Sequence, residues 1–503
     1  MNSPGEEIRC DPLVTNILRD PKMLKSIRIH KLKYLNTALV SLGLLALAAC
    51  GGSNSSSNQS TPSVPTPQNM TLQVNVGDSP SDRVMAFATN ITSMTLTNSN
   101  GTTAPIVSAS MPIEMMRLAG TMQPINVLSI PQGTYTGASI TMSSMSVTFM
   151  DPTTRTIMQK TVAGPITTNV SFASNMTLGS TPMVLSFDMD IASSVAIDSS
   201  GKVSLTPTFH TIMNNVGVGN GQDPENGGME HLIGSVASAS GTSFGFSMMQ
   251  SAQTLTLTTN NNTQFENMSG MGMMSNGALM KVNAMLQADG SILVQKVQWF
   301  MGNGGVMSDG IVGAVTGSPA TQMGMVVQNG SGQGMMSSFL ANNANVNVTG
   351  STSFNIDTDG MDMSNLPFTP TFDSDHMYPG ERVRCISNTG MGSGSMGGMG
   401  GMGGGSMVGM MNASECNLVQ QGFTGTVSNY SASNGQATFT LTLASDSYFA
   451  IMTGESMITV YQQPGTELYG ITSIGNGQTV QVRGLMFEDG SVFRMVARRI
   501  MNP

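Results

Sequence analysis

The residues best equipped for chemistry in this sequence are thioethers. The run MGSGSMGGMGGMGGGSMVGMM, residues 391–411, sets seven methionines among glycines and serines. Met396, Met399 and Met402 recur at Met-x-x-Met spacing, with Met407 just beyond. Thioethers on a flexible glycine backbone suit a soft cation such as Cu(I) or Ag(I) where thiolates are oxidised away. The same groups take up oxidants reversibly. Composition argues for a blander reading. The chain has 47 Met, and many, such as Met94, Met142 and Met189, stand where Val, Ile or Leu would serve. The expectation is a loop without a cofactor, with soft-metal binding or oxidant scavenging as the alternatives.

Other reactive patterns are sparse. Gly241–Gly245 reads Gly-Thr-Ser-Phe-Gly, which fits the Gly-x-Ser-x-Gly nucleophile elbow. That motif works only between a strand and a helix with a His and an acid beside the Ser. Here alternating residues predict a hairpin, so no enzyme is expected. His210, His231 and His376 have no second His, Cys or Glu at ligand spacing, and they read as surface or linker residues. Asp357, Asp359 and Asp362 in IDTDGMD offer hard oxygens for Ca²⁺ but lack the distal Glu of an EF-hand. They read as an acidic turn. Cys385 and Cys416 flank the Met/Gly run, each beside a strand-like stretch, RVRC and CNLVQQ. Antiparallel pairing would bring them within disulfide reach in an oxidising compartment.

What must position these residues is a chain of short strands. Of 503 residues, 10% are charged and 5% aromatic, while Gly, Ser, Thr, Asn and Met abound, a composition for strands and turns. The fold class expected is all-β. Apolar residues alternate at Leu72, Val74 and Val76 and again at Ile91, Met94 and Leu96, which marks half-buried strands. Net charge is −9, and residues 1–49 hold seven Lys/Arg against four Asp/Glu, so the remainder carries −12. An acidic surface repels phosphate backbones, and no nucleic-acid partner is expected.

The N-terminus carries an address. Lys25, Arg28, Lys31 and Lys33 precede the uncharged stretch 34–49, which ends in Leu47-Ala48-Ala49-Cys50. That is a lipoprotein signal peptide, 23–49, with a lipobox: small residues admit a peptidase, and the Cys50 thiol accepts a diacylglyceryl group. Residues 1–22 read as a doubtful upstream extension before Met23. The apolar run is too short to span a bilayer. Residues 50–69 are expected to be a disordered tether. Gly51 after the Cys points to the outer membrane, so the partner expected is a membrane, through the lipid anchor.

Two family resemblances follow from quoted residues. VNVGDSPSD (74–82), IPQGTYTGASI (130–140), FDMD (187–190) and LTPTF (205–209) resemble domain of unknown function 4382, which implies an extracytoplasmic β-sandwich over 70–213. After a linker, 214–230, Gly234-Ser235-Val236 and Asp289-Gly290-Ser291 recur as Gly425-Thr426-Val427 and Asp489-Gly490-Ser491, an internal repeat. These units resemble domain of unknown function 5666, which implies small barrel-like modules at 231–302, 308–420 and 422–503. The middle one carries the Met/Gly insertion, 389–412, in place of the Asp-Gly turn. The function expected is a lipid-anchored envelope protein with a structural or binding role toward a protein or glycan partner, through an exposed aromatic patch near Trp299 or Tyr461.

Overall fold

In the first body the alternation has a second purpose. A computed structural model describes residues 68–503 except 80, 218–222, 252, 303–304, 332–339, 389–406, 434 and 491, with backbone alone at 407–409. Leu72, Val74 and Val76 of strand Asn69–Ser79 are buried in the sandwich core. The polar residues between them are buried too, because the next body covers that face. Gln73 Nε2 donates to the Gly228 carbonyl at 3.3 Å and Asn75 Nδ2 to the Pro224 carbonyl at 2.9 Å. A strand expected to be half-buried is therefore buried on both sides, and its polar face survives by hydrogen bonding.

This first body, residues 69–215, has one sheet in the order Phe209–Asn215, Met183–Asp190, Asn69–Ser79, Met122–Pro131. A second sheet runs Thr103–Val107, Val84–Asn98, Gly133–Met150, Ile157–Val162. The middle pair of the first sheet is parallel, with Val76 opposite Phe187. The fold is all-β, as composition implied.

The next three bodies share one plan. In residues 421–501 five strands close a barrel in the order Gln421–Ser433, Gln436–Leu443, Met457–Tyr469, Val492–Met501, Thr479–Asp489. The third and fifth strands in chain order are parallel, and every other pairing is antiparallel. Residues 228–301 repeat this order, with the parallel closure at Thr258 and Leu293. Residues 306–418 repeat it again, but the fifth strand is split into Met407–Asn412, parallel to Asn343–Asn347, and Glu415–Leu418, antiparallel to Arg382–Ser387. Residues 407–412, read from sequence as the end of the insertion, are barrel strand.

The Gly-x-Val pattern has a steric cause at the same point of each plan. A Cβ on Gly234 would sit 2.4 Å from the Ser247 carbonyl oxygen, one on Gly310 2.0 Å from that of Val326, and one on Gly425 2.6 Å from that of Thr442. The strand bends so close to its neighbour that only glycine fits. Two residues on, Val236, Val312 and Val427 are all buried. Gly310→Ala and Gly425→Ala are each expected to lower stability by about 1–3 kcal/mol through overpacking. Gly179→Ala, with open space around its Cβ, is expected to be near neutral. Urea midpoints at unchanged m-value check the contrast.

Candidate functional site: a charged junction and the cleft beside it

A chain with few charges places most of its cations inside. Thirteen Lys/Arg follow residue 49, and seven of them, Arg117, Lys281, Arg382, Arg384, Arg483, Arg498 and Arg499, meet where the four bodies join. Strand period explains how. In Arg382–Ser387, Val383 and Cys385 enter the third body's core while Arg382 and Arg384 face the opposite way. Arg384 lies directly across from Asp309. Arg382 bonds Asp309 at 2.9 Å and reaches the Gln420 carbonyl at 3.0 Å.

From the second body, Lys281 Nζ meets Asp357 at 2.8 Å and Asp359 at 3.5 Å, and Arg384 joins Asp357 at 3.0 Å. His231 donates from Nδ1 to Asp359 Oδ2 at 2.7 Å. Burial lowers the His231 pKa to about 4, so the ring is neutral. Burial also opposes ionisation of Asp357, but Lys281 and Arg384 outweigh it and hold the carboxyl below its usual range. The acidic turn and the linker histidine of the sequence reading are both parts of this ion-pair core. Their own protein supplies the cations that Ca²⁺ would have supplied.

The barrel reaches back to the first body. Arg483 donates to the Ala119 carbonyl at 2.7 Å and Arg499 to that of Gly120 at 3.3 Å, which satisfies buried carbonyls just past the short helical turn Met116–Leu118. Glu114 holds the other end, accepting from the Phe87, Met116 and Arg117 backbone N–H groups. Arg499 is further tied to Glu467 at 2.7 Å and Glu230 at 3.5 Å. The space left within this junction is only about 50 Å³, too little for an organic ligand.

Beside it opens a cleft of about 310 Å³. Asp78, Asp188, His210 and Ile212 line it from the first body, Asp223, Pro224 and Glu225 from the segment entering the second, and Tyr469, Gln481, Arg499 and Met501 from the barrel. Asp188 accepts from Ser79 Oγ at 2.8 Å. Glu225 is 9% exposed, and its Oε1 has no hydrogen-bond partner. Burial, and then the neighbouring Asp223 carboxylate, push its pKa up to about 7. Asp78 is raised well above the carboxylate range by burial and then Asp188. Sequence reasoning missed this site because Asp223 and Glu225 fall in the stretch read as linker. Its only signal was that VNVGDSPSD and FDMD both carry acids.

The remaining candidates are plainly placed. Cys385 and Cys416 are opposite one another on adjacent strands and form a disulfide with Cα atoms 4.1 Å apart. Ser243 starts a hairpin strand, and its Oγ donates to the Ser240 carbonyl at 3.3 Å. No helix follows it there. Tyr461 is buried against Phe368, and Trp299 is half-buried against the second body's core; neither forms the exposed patch expected. Cys50, Met396, Met399 and Met402 lie outside the described residues, as does the Met407 side chain. Met411, at the end of the same run, is buried in the third body's core. Among the described residues no three His, Cys, Asp or Glu converge as metal ligands, and no helix is long and apolar enough to cross a membrane.

With this geometry in view, a family described as Domain of unknown function (DUF5666) matches residues 234–298, nearly all of the second body. No curated protein matches the chain.

Two outcomes follow from the junction. Lys281→Ala leaves Asp357 to Arg384 alone and Asp359 to the neutral His231 alone, and is expected to cost roughly 3–5 kcal/mol. Adding Asp357→Leu to Lys281→Met should recover part of that, because Arg384 keeps Asp309; a double-mutant cycle by urea unfolding reads the coupling. The pH dependence has a definite sign. Asp82, Glu114 and Glu225 have native pKa values raised to about 7, chiefly by burial, and Asp78 and Glu381 are raised further. Between about pH 4.5 and 7 these groups hold protons in the native state that the unfolded chain has released. Their contribution is full below the unfolded carboxylate range and is lost as pH rises through 7. His231 opposes them, since its lowered native value makes its contribution fade below pH 6.5. Five carboxylates outweigh one imidazole, so the urea midpoint is expected to fall from pH 5 to pH 8. A rise would contradict the assignment.

Proposed function

We propose that this chain is an envelope lipoprotein whose strand-built body has a non-catalytic binding or structural role outside the cytoplasm. The observation that carries this reading is Leu47-Ala48-Ala49-Cys50 after a basic and then uncharged stretch, followed by the Gly/Ser/Asn/Pro segment 51–69. Acyl chains on Cys50 hold a protein on a bilayer by about 0.8 kcal/mol per buried CH₂. The Cys385–Cys416 bridge supports an oxidising compartment, since such bonds persist there and are reduced in the cytosol. Resemblance of the first body to domain of unknown function 4382 agrees with an extracytoplasmic place, and Gly51 favours the outer membrane. A body whose parts are joined by buried ion pairs, with a cleft of about 310 Å³, suits binding better than group transfer.

The test is at Cys50. In a Gram-negative host, Cys50→Ala is expected to abolish incorporation of labelled fatty acid and move the protein from the membrane fraction into the soluble envelope or the precursor pool. Mass spectrometry of an unacylated wild-type N-terminus upstream of residue 50 would overturn the reading.

A further inference from the structure

The cleft between the first body and the barrel lacks a positive charge of its own. It is lined by four carboxylates, Asp78, Asp188, Asp223 and Glu225. The one guanidinium at its edge, Arg499, is committed to Glu467, Glu230 and the Gly120 carbonyl. Glu225 is nine-tenths buried, belongs to no ion pair among the described residues, and leaves Oε1 without a partner. A buried acceptor in that state costs free energy unless something fills it. Glu225 lines the same cavity as Asp223, Arg499 and Asp188, with Oε1 shielded from water at its wall.

We infer that this cleft binds a small organic cation, an ammonium or guanidinium on a short apolar body, with Glu225 and Asp188 as the charge-bearing acceptors. Three features select that class. The volume, about 310 Å³, is that of a small-molecule site. Ile212, Tyr469 and Met501 supply apolar wall for a hydrocarbon stem. The carboxylates do not converge as a metal-ligand set, so a bare divalent ion is a poorer match than a cation that brings its own hydrogens. Burial of Glu225 without a partner is explained on this basis: the empty site keeps it protonated near neutrality, and an arriving ammonium replaces the proton. The titratable groups that share the cleft with it are Asp78, Asp188 and His210 of the first body, Asp223 on its own segment, and Tyr469 and Arg499 of the barrel.

This inference rests on the binding role proposed above but not on the anchor, so the two fail separately. The experiment is calorimetric titration of the full mature protein in detergent micelles with 1,5-diaminopentane and with agmatine at pH 8, then at pH 5.5. Saturable one-to-one binding is expected, weaker at pH 5.5, and absent for 1-pentanol and glutarate. Glu225→Gln, which relieves rather than creates a buried charge, should weaken it about tenfold or more. Ile212→Trp should block it by volume. No saturable heat at millimolar amine, equal affinity for the neutral or anionic analogues, binding unchanged by both substitutions, or a response to Ca²⁺ alone would each overturn the assignment. Any of these results together with an acylated Cys50 would leave the anchored envelope reading intact.

Discussion

The arrangement of the four bodies depends on one constraint: some of the charges buried between them find their partners only across a boundary between bodies. Lys281 pairs with no carboxylate of its own barrel among the described residues; its partners are Asp357 and Asp359 of the next. Arg483 and Arg499 lie directly opposite one another on paired strands, a repulsive placement, and are made tolerable by carbonyls of residues 119–120 and by Glu467. The second body alone would leave Lys281 unpaired, and the barrel alone would leave Arg483 without the Ala119 carbonyl. Apolar contact between bodies is plentiful, since Phe487 and Val496 of the barrel enter the third body's core and Met85 of the first enters the barrel's. Greasy faces tolerate sliding; directed ion pairs do not. Hydrophobic burial therefore supplies the cohesion and the ion pairs fix the register, a role buried charge fills better than it adds stability.

The repeat shows how one plan absorbs a large change. Two copies join their fourth and fifth strands by a tight turn, with Gly290 and Gly490 at positive φ. The third copy has the longer connection 388–406 at that place. The Cys385–Cys416 bridge lies between those two strands and closes the connection covalently, which limits the unfolded chain as a short turn would. The bridge is buried among Val383, Leu418 and Met411, so it belongs to the barrel wall and not to the Met/Gly run it flanks.

Much of the fold was legible because it is written in period two. Alternation marked the strands, Gly-x-Val marked the bends where a backbone carbonyl approaches within 2.0–2.6 Å of a would-be Cβ, and two RVRC- and CNLV-like stretches marked the bridge. The junction was not legible. Asp357 and Asp359 look like a solvated turn until Lys281, some 76 residues earlier in the chain, is placed against them, and sequence spacing carries no trace of that approach. His231 reads as a linker residue for the same reason. Trp299 and Tyr461 misled in the opposite sense: large aromatics on a polar chain suggested an exposed patch, but Tyr461 packs against Phe368 and Trp299 against the second body's core.

The cleft and the junction are not independent. Arg499 belongs to both, and the walls of the cleft come from the first body, the segment entering the second, and the barrel. An occupant that bonds Glu225 and Asp188 therefore adds a link between parts that already meet through hydrogen bonds, apolar contact and ion pairs. A ligand that binds the assembled form and not the separated bodies stabilises the assembly by its own binding free energy. The empty cleft works the other way, since Glu225 and Asp188 each raise the cost of ionising the other as pH rises. The junction is thus strained at one edge by like charges and held at the other by opposite ones, and a cation at that edge would convert the repulsion into a further link between the bodies.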